Sequence, residues 1–479
     1  MNKLVKGGAL YFIKQIILMV LPLVTVTYVS RTLTVDNIGI SNYSNSLMTY
    51  FILIAIFGIN TYGLRELSKV KDSKEKSNNI ISEMITLNLF TTISAYIFLF
   101  ILVMSVPYFY ELRKYILIAS GQIFFYAFSW EWILASKEEY GIISLINVAS
   151  YIFVTLLTLL FVKNDNDVYL YIFLTYLGNI LNSIINFIFL KCKYQMHFKL
   201  KRFKMSRFKS IWVIFSNTVL QTIYVNIDTL MIGIMLNQYQ VGLYSASVKI
   251  YTILKTVFST PITVCISRCA YYFNSDKNKY NELINSIIGG LLVVVLPCIV
   301  GVIYYAKDIL YIIYSDKYLM SASSLQILSI VFVISLTNIL INSLILIPQN
   351  KENLLCKLSF VSSFFNVGLN YFIIPIFGIN GASLTTLMSE FIILIFTFKY
   401  LIEIIDKKSI HAVLVDSLMG MVIVFITVIF VKIFFGTGIY CIFISVFFGS
   451  IIYLIILALR KNFYFIKIYS LLRKRIIKM

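Results

Sequence analysis

Charge is scarce in this chain of 479 residues: only 13% is Asp, Glu, Lys or Arg, against about 25% in an ordinary soluble protein. Acids are the scarcer sign, 21 against 41 Lys and Arg, and there are only two histidines, His197 and His411, and six prolines. So little charge cannot clothe a water-facing surface of this length, which excludes a soluble enzyme. The lack of histidine is matched by a lack of motifs. No HExxH, P-loop or GxSxG pattern occurs, and catalytic chemistry, a metal site or a cofactor finds no support. The six cysteines (Cys192, Cys265, Cys269, Cys298, Cys356, Cys441) form no CxxC pair and read as small apolar residues rather than a disulfide frame. No cleavage site follows the apolar run at the start of the chain, which is read as a retained first helix.

What is present is hydrophobic length. Apolar residues make up 59% of the chain, roughly 280 residues, enough at about 20 per crossing for about fourteen transmembrane helices with little left over. The spans are expected near 10–29, 41–60, 82–106, 115–134, 142–162, 169–190, 211–235, 242–266, 286–305, 325–347, 355–375, 381–402, 412–435 and 438–459. Their length, and the absence of strict alternation, favours helices over the ~10-residue strands of a membrane barrel. The fold class is therefore an all-α polytopic membrane protein.

The formal charge of +20 is compatible with nucleic acid or an anionic membrane, and position along the chain decides between them. With the N-terminus inside, 29 Lys and Arg fall on inner segments and six (Arg31, Arg113, Lys114, Lys163, Lys307, Lys317) on outer loops. That asymmetry satisfies the positive-inside rule, puts both termini in the cytoplasm, and makes anionic membrane lipid the expected partner of the basic segments, not nucleic acid. The most basic segment, Lys191 to Lys209, has eight Lys/Arg and no acid and follows the sixth span. It divides the chain into a lobe over 1–200, a second over 201–410, and two further helices with a basic tail over 411–479. Six helices per lobe make any repeat a parallel one. A local echo supports this: Leu33 to Gly39 (LTVDNIG) and Leu236 to Gly242 (LNQYQVG) share a Leu followed five residues later by an aliphatic-Gly pair.

Charges inside the spans are where function is sought, because each costs several kcal/mol unless it faces a cavity or a partner. In the seventh span Asn217, Gln221, Tyr224 and Asp228 share one face. In the eighth Ser245, Lys249, Thr252, Thr256 and Ser259 do the same. Asp228 and Lys249 sit at matched depth, ~10 Å in, and two readings stay open: a structural ion pair, or a Lys249 that faces a cavity and attracts an anionic substrate. Lys14 is read either as a cavity cation or as a side chain snorkelling to the inner headgroups. Lys255, near mid-span, is expected to face water or a carboxylate, and Glu390 to have a buried partner or a proton. Lys357, Lys399 and Lys432 are expected to be anchors at span ends.

Three stretches together resemble the oligosaccharide flippases of the polysaccharide transporter family, in the superfamily that also holds multidrug extruders and peptidoglycan-precursor flippases. The first, Tyr28 to Asp72, has a Ser30–Arg31 pair closing the first helix, Ile38–Gly39 and Tyr43 entering the second, then Gly58, Tyr62–Gly63 and Arg65–Glu66. The second is Asp228 to Lys249, and the third is Asn366 to Glu390 with its Asn-rich helix, Ile-Pro and Gly-Ala-Ser turn. Thr34 stands where the family's commonest pattern has Gly. The resemblance implies a two-lobed transporter moving an undecaprenyl-diphosphate-linked sugar repeat unit to the outer leaflet by alternating access, alongside a polysaccharide polymerase and chain-length machinery. It implies roles for Arg31 and Arg65, whose other readings are an interface anchor and a topology signal. With Lys14, Lys249 and Lys255 they are the candidate cations for a diphosphate headgroup. A teichoic-acid or peptidoglycan-precursor flippase, a multidrug extruder and a membrane-embedded polymerase are the rival readings.

Overall fold

The computed structural model describes residues 17, 20–70, 73–194, 200–436, 438–460 and 462, with the side chains of 224 and 407–409 left aside. Lys14 lies outside the described residues. The described chain is helical, with no strand among the described residues. A segment in hydrocarbon has no water to bond its backbone, so each apolar run closes its own N–H···O=C ladder.

The helices are α1 (20–32), α2 (Val35–Ile56), α3 (Ile59–Lys69), α4 (Lys74–Ser105), α5 (Arg113–Ala127), α6 (Glu131–Ser136), α7 (Tyr140–Phe161), α8 (Val168–Tyr194), α9 (Phe208–Met235), α10 (Gln238–Ser275), α11 (Lys277–Tyr304), α12 (Ala306–Ile313), α13 (Ala322–Leu340), α14 (Glu352–Ile402), α15 (Lys407–Phe435) and α16 (Ile439–Leu459). Among the described residues eleven helical stretches are long and apolar enough to cross a membrane, or twelve when α9, bent by 52° between Ile223 and Val225, counts as one. The protein is a multi-pass membrane protein.

Breaks fall where the backbone leaves helical space. Phe57 and Gly58, both at positive φ (47° and 76°), separate α2 from α3 within the single span expected near 41–60. Gly378 (φ 58°, ψ −138°) turns the chain inside α14, between the expected spans 355–375 and 381–402. Capping side chains mark several starts: Ser73 accepts from Lys76 N at 3.4 Å and Asp276 from Lys279 N at 3.1 Å. The segment after α11 folds into α12 and a 3₁₀ turn over Asp316–Ser321.

The chain forms two units, Met1–Ser245 and Ala246–Met479, with α10 starting in the first and continuing into the second. In the first, α2 is central, packing on α4, α5, α8 and α9. In the second, α11 packs on α13 and α15, α13 on α14, and α15 on α16. Both are apolar outside and rich in small polar residues inside. Phe90, Phe98, Phe364, Phe372 and Phe434 are exposed, while Ser41, Ser44, Ser362, Asn366, Asn370 and Ser389 are buried. Small residues let membrane helices approach closely, which supplies the packing that hydrophobicity cannot supply in lipid.

A close backbone approach joins the two echo segments. A Cβ built on Gly39 would lie 1.8 Å from the Gln238 carbonyl oxygen, and one on Gly242 would lie 2.3 Å from that of Val35. Val35 precedes Gly39 by four residues, as Gln238 precedes Gly242, so the contact is reciprocal. The helix starts correspond too: Thr34 Oγ1 accepts from Asn37 N at 3.3 Å, and Asn237 Oδ1 from Gln240 N at 2.9 Å. Here glycine is required by distance, since backbone stands where a methyl group would go. G39A and G242A are each expected to cost about 1–3 kcal/mol or more through forced backbone shifts. G290A, whose Cβ would meet nothing within 4 Å, should stay within about 0.5 kcal/mol of wild type. Thermal unfolding of the three purified variants in detergent checks this.

Candidate functional site

Two charged groups of the second unit, Lys255 and Glu390, come together at one place. On α10, Tyr251 and Lys255 are one turn apart, and Lys255 Nζ donates to Tyr251 Oη at 3.1 Å. Tyr251 Oη in turn donates to Ser335 Oγ on α13 at 3.2 Å. Glu390, on the part of α14 that follows the Gly378 turn, places Oε1 3.6 Å from Lys255 Nζ. Its other oxygen, Oε2, accepts from Asn338 Nδ2 of α13 at 2.7 Å, and the same amide reaches the Glu390 carbonyl at 2.9 Å. The Glu390 side chain is 5% exposed and that of Lys255 is 29% exposed. The carboxylate is thus enclosed, and the ammonium keeps one open flank.

The open flank lies beside a hydroxyl stripe. Thr252 and Thr256 are exposed on the same face of α10. Their hydroxyls donate to the i−4 carbonyls of Val248 and Thr252, each at 2.8 Å. Thr218 and Thr222 of α9, in the first unit, do the same at 2.9 and 2.8 Å. A hydroxyl whose proton is committed to its own helix offers only lone pairs outward. The α10 face therefore presents a cation suited to a phosphate and, next to it, acceptors suited to hydroxyl donors.

The other expected site residues are spread out. Lys249 is half-buried and has no ion pair in its own unit among the described residues. Asp228 belongs to the first unit, where its buried carboxylate accepts a hydrogen bond from Tyr244 Oη at 3.0 Å. Arg31 is exposed at the end of α1. Arg65 is exposed on α3, with Nε 3.2 Å from Glu66 Oε1 and its guanidinium over the Tyr62 ring. Lys432, expected to be a simple anchor, instead pairs with Asp308 at 3.3 Å and donates to the Tyr304 carbonyl at 2.7 Å. An apolar cavity of about 470 Å³ between α11, α15 and α16, walled by Val293, Pro297, Val424, Val446 and Tyr453, has no charged residue in its lining.

The basic segment after α8 does more than mark topology. Glu139, buried in the first unit, receives Lys193 at 2.7 Å and Tyr194 at 2.8 Å. Glu83, buried near the start of α4, faces Arg207 Nε at 3.3 Å and Lys204 Nζ at 3.8 Å. Lys201 Nζ donates to Asn79. Sequence reasoning missed these acids. Two glutamates, Glu83 and Glu139, in a chain with a run of eight unbalanced cations were the signal available.

Residues 4–267, just over half of the chain, match the family described as polysaccharide biosynthesis protein. The chain belongs to this family. A putative O-antigen transporter of Shigella dysenteriae is 22% identical over 79% of this chain and 95% of its own length. One of Escherichia coli K12 is 27% identical over 34% of this chain and 40% of its own. A membrane protein of Methanocaldococcus jannaschii is matched over only 28% of its length, so two of these relatives are covered by less than half. Among solved structures, a lipid II flippase in an inward closed conformation aligns over 96% of this chain and 100% of its own, at 17% identity and TM-score 0.72. An inward-facing multidrug resistance transporter of the MATE family aligns over 80% and 94%, at 14% and 0.64. At these identities the structures establish the fold.

As a polysaccharide biosynthesis protein the chain departs from the commonest family pattern at Thr34, and the structure shows why this is tolerated. Thr34 has φ −70° and ψ 159°, which any residue adopts, and its hydroxyl caps α2. Its own N–H donates to Asp165 Oδ1 at 2.7 Å. T34G should therefore lower stability by only a few tenths of a kcal/mol, and T34A by about 1. A second expectation concerns the Lys255–Glu390 pair. Removing one partner leaves a buried charge uncompensated, so K255M and E390L should each destabilise by about 3–5 kcal/mol, while K255M/E390L, which removes both, should cost clearly less than either. Detergent melting curves for the double-mutant cycle decide it, and simple additivity would show that the two groups are not paired.

Proposed function

We propose that this protein is a flippase that carries undecaprenyl-diphosphate-linked oligosaccharide repeat units from the inner to the outer leaflet of the cytoplasmic membrane, for assembly of a surface polysaccharide. The observation that carries the reading is the match to the Shigella O-antigen transporter over 95% of that protein's length. A probable glycan biosynthesis flippase of Haloferax volcanii, 24% identical over 38% of both chains, supports the same substrate class. Transport, not catalysis, is the activity.

The chemistry of the second unit is in keeping with it. A diphosphate entering a low-dielectric region needs cations, and Lys255 is kept in a membrane helix with one flank open. Sugar hydroxyls need acceptors, and Thr252 and Thr256 supply them. Lys14, Arg31, Arg65 and Lys249 are the further cations proposed to meet the headgroup along its path.

The proposed architecture has fourteen spans. As one straight helix, 51-residue α14 would reach about 77 Å at 1.5 Å per residue, far beyond the ~30 Å of bilayer hydrocarbon. Division at Gly378 makes it two spans, and α1 supplies the first. The spans fall into parallel lobes over 1–200 and 201–410 with two helices over 411–479, both termini in the cytoplasm. A polysaccharide polymerase and chain-length machinery are the proposed partners, with anionic lipid under the basic segments.

The fold is shared by a lipid II flippase and by multidrug transporters, so it does not choose between substrates. A multidrug extruder is disfavoured by chemistry: the first acid of the chain, Asp36, precedes the bulk of α2 at its first turn, and a Lys-bearing face repels cationic drugs. A teichoic-acid or peptidoglycan-precursor carrier is the nearer alternative.

Deleting the gene should make lipid-linked repeat units accumulate on the inner leaflet, with the intact chain restoring export; unchanged leaflet distribution contradicts the reading. For Lys249, K249A expressed at wild-type level should lower export about tenfold or more, the effect of losing a charge-assisted contact of ~1.5 kcal/mol. Export that survives while protein level falls would make Lys249 a structural residue.

A further inference from the structure

The Lys255–Glu390 contact is unusual for a buried ion pair. Charge-assisted N–H···O bonds close to about 2.7–2.9 Å, yet here the separation is 3.6 Å, and Lys255 gives its hydrogen bond to Tyr251 instead. An ammonium has three N–H donors; one is used on Tyr251, and the side chain keeps an open flank. The carboxylate is held independently of the lysine, by the Asn338 amide on Oε2 at 2.7 Å. The lysine can therefore turn to another anion while Glu390 stays bonded to Asn338 of α13.

The charge balance has a consequence for such an anion. A lysine beside a carboxylate is net neutral, so an anionic ligand gains the ammonium only against the pull and repulsion of Glu390. We propose that Glu390, positioned by Asn338, is a built-in competitor for Lys255 that limits how tightly the site holds a lipid diphosphate and so permits its release. The proposal rests on the flippase reading above and deepens it. Glu390 acts through Lys255 and is a positioning residue. A carrier needs a site strong enough to load and weak enough to unload, as a channel does, and a competing carboxylate is a way to set that strength without removing the cation.

The test uses the full chain in nanodiscs, with farnesyl diphosphate, inorganic pyrophosphate and farnesol as probes, and surface polysaccharide output in cells at matched protein level. E390Q keeps the size of the side chain and an acceptor for Asn338 but removes the charge. It should bind farnesyl diphosphate about tenfold tighter, the scale expected for removing one nearby like charge, yet export more slowly than wild type, while E390D stays near wild type in both. K255A should bind the diphosphate about tenfold more weakly or worse. Damage to the fold does not raise affinity, so a tighter E390Q separates this role from a merely structural one. Tightening for neutral farnesol as well would overturn the proposal, because a headgroup without charge cannot sense the exchange. Wild-type affinity for pyrophosphate equal to that for farnesyl diphosphate would overturn the assignment to a lipid. If wild type binds farnesyl diphosphate and E390Q binds it no tighter, the competitor role fails alone. If wild type binds no diphosphate, the flippase reading fails with it.

Discussion

Hydrocarbon cannot hydrogen-bond, and every other feature of this protein follows from that. It forces the backbone into helices, turns the apolar side chains outward and gathers serine, threonine and asparagine inside. It draws membrane-embedded charges toward partners: Glu390 takes Asn338 and Lys255, Lys432 takes Asp308, and Asp416 takes Arg460 and Asn462. Threonine hydroxyls that face outward are satisfied by their own helix. Where two backbones must touch, as at Gly39 and Gly242, the side chain is dispensed with altogether.

The same rule explains how function is carried by few residues. The densest run of positive charge lies around and after the end of α8, and Glu83 and Glu139 tie part of it to the body of the first unit. A small remainder sits in helices. Lys255 is distinctive within it because its carboxylate partner is anchored elsewhere and does not close a hydrogen bond to it. An ion pair arranged in this way lowers the cost of keeping a cation in the membrane and still leaves the cation available to a ligand.

Local periodicity made much of this legible in the sequence. The apolar spans, the polar face of α10, and the needs of Lys255 and Glu390 for a counter-charge are all one-dimensional signals, since each depends on a residue and its own helix. What could not be read depends on residues far apart in sequence. Asn338 has no distinguishing neighbourhood, and only packing of α13 on α14 brings it to Glu390. The echo at Gly39 and Gly242 was visible as a repeated string, but that each glycine receives the other segment's carbonyl required the folded chain. Thr34 shows the reverse limit: the sequence marks a departure from a family pattern, and only the folded chain shows its hydroxyl capping α2. Lys432 misled because a lysine near a span end usually snorkels, and Asp308 lies on a helix that the loop's polarity concealed.

The most direct test of the account is the charge dependence of lipid movement in vesicles that contain only this protein. Three fluorescent prenyl lipids bearing the same short oligosaccharide, linked through a diphosphate, a monophosphate or an uncharged ether, would be followed between leaflets by quenching from outside. The account predicts fast exchange for the diphosphate, slower for the monophosphate and none above protein-free vesicles for the ether, with the diphosphate rate lost in K255A. Equal rates for the charged and uncharged lipids would contradict it.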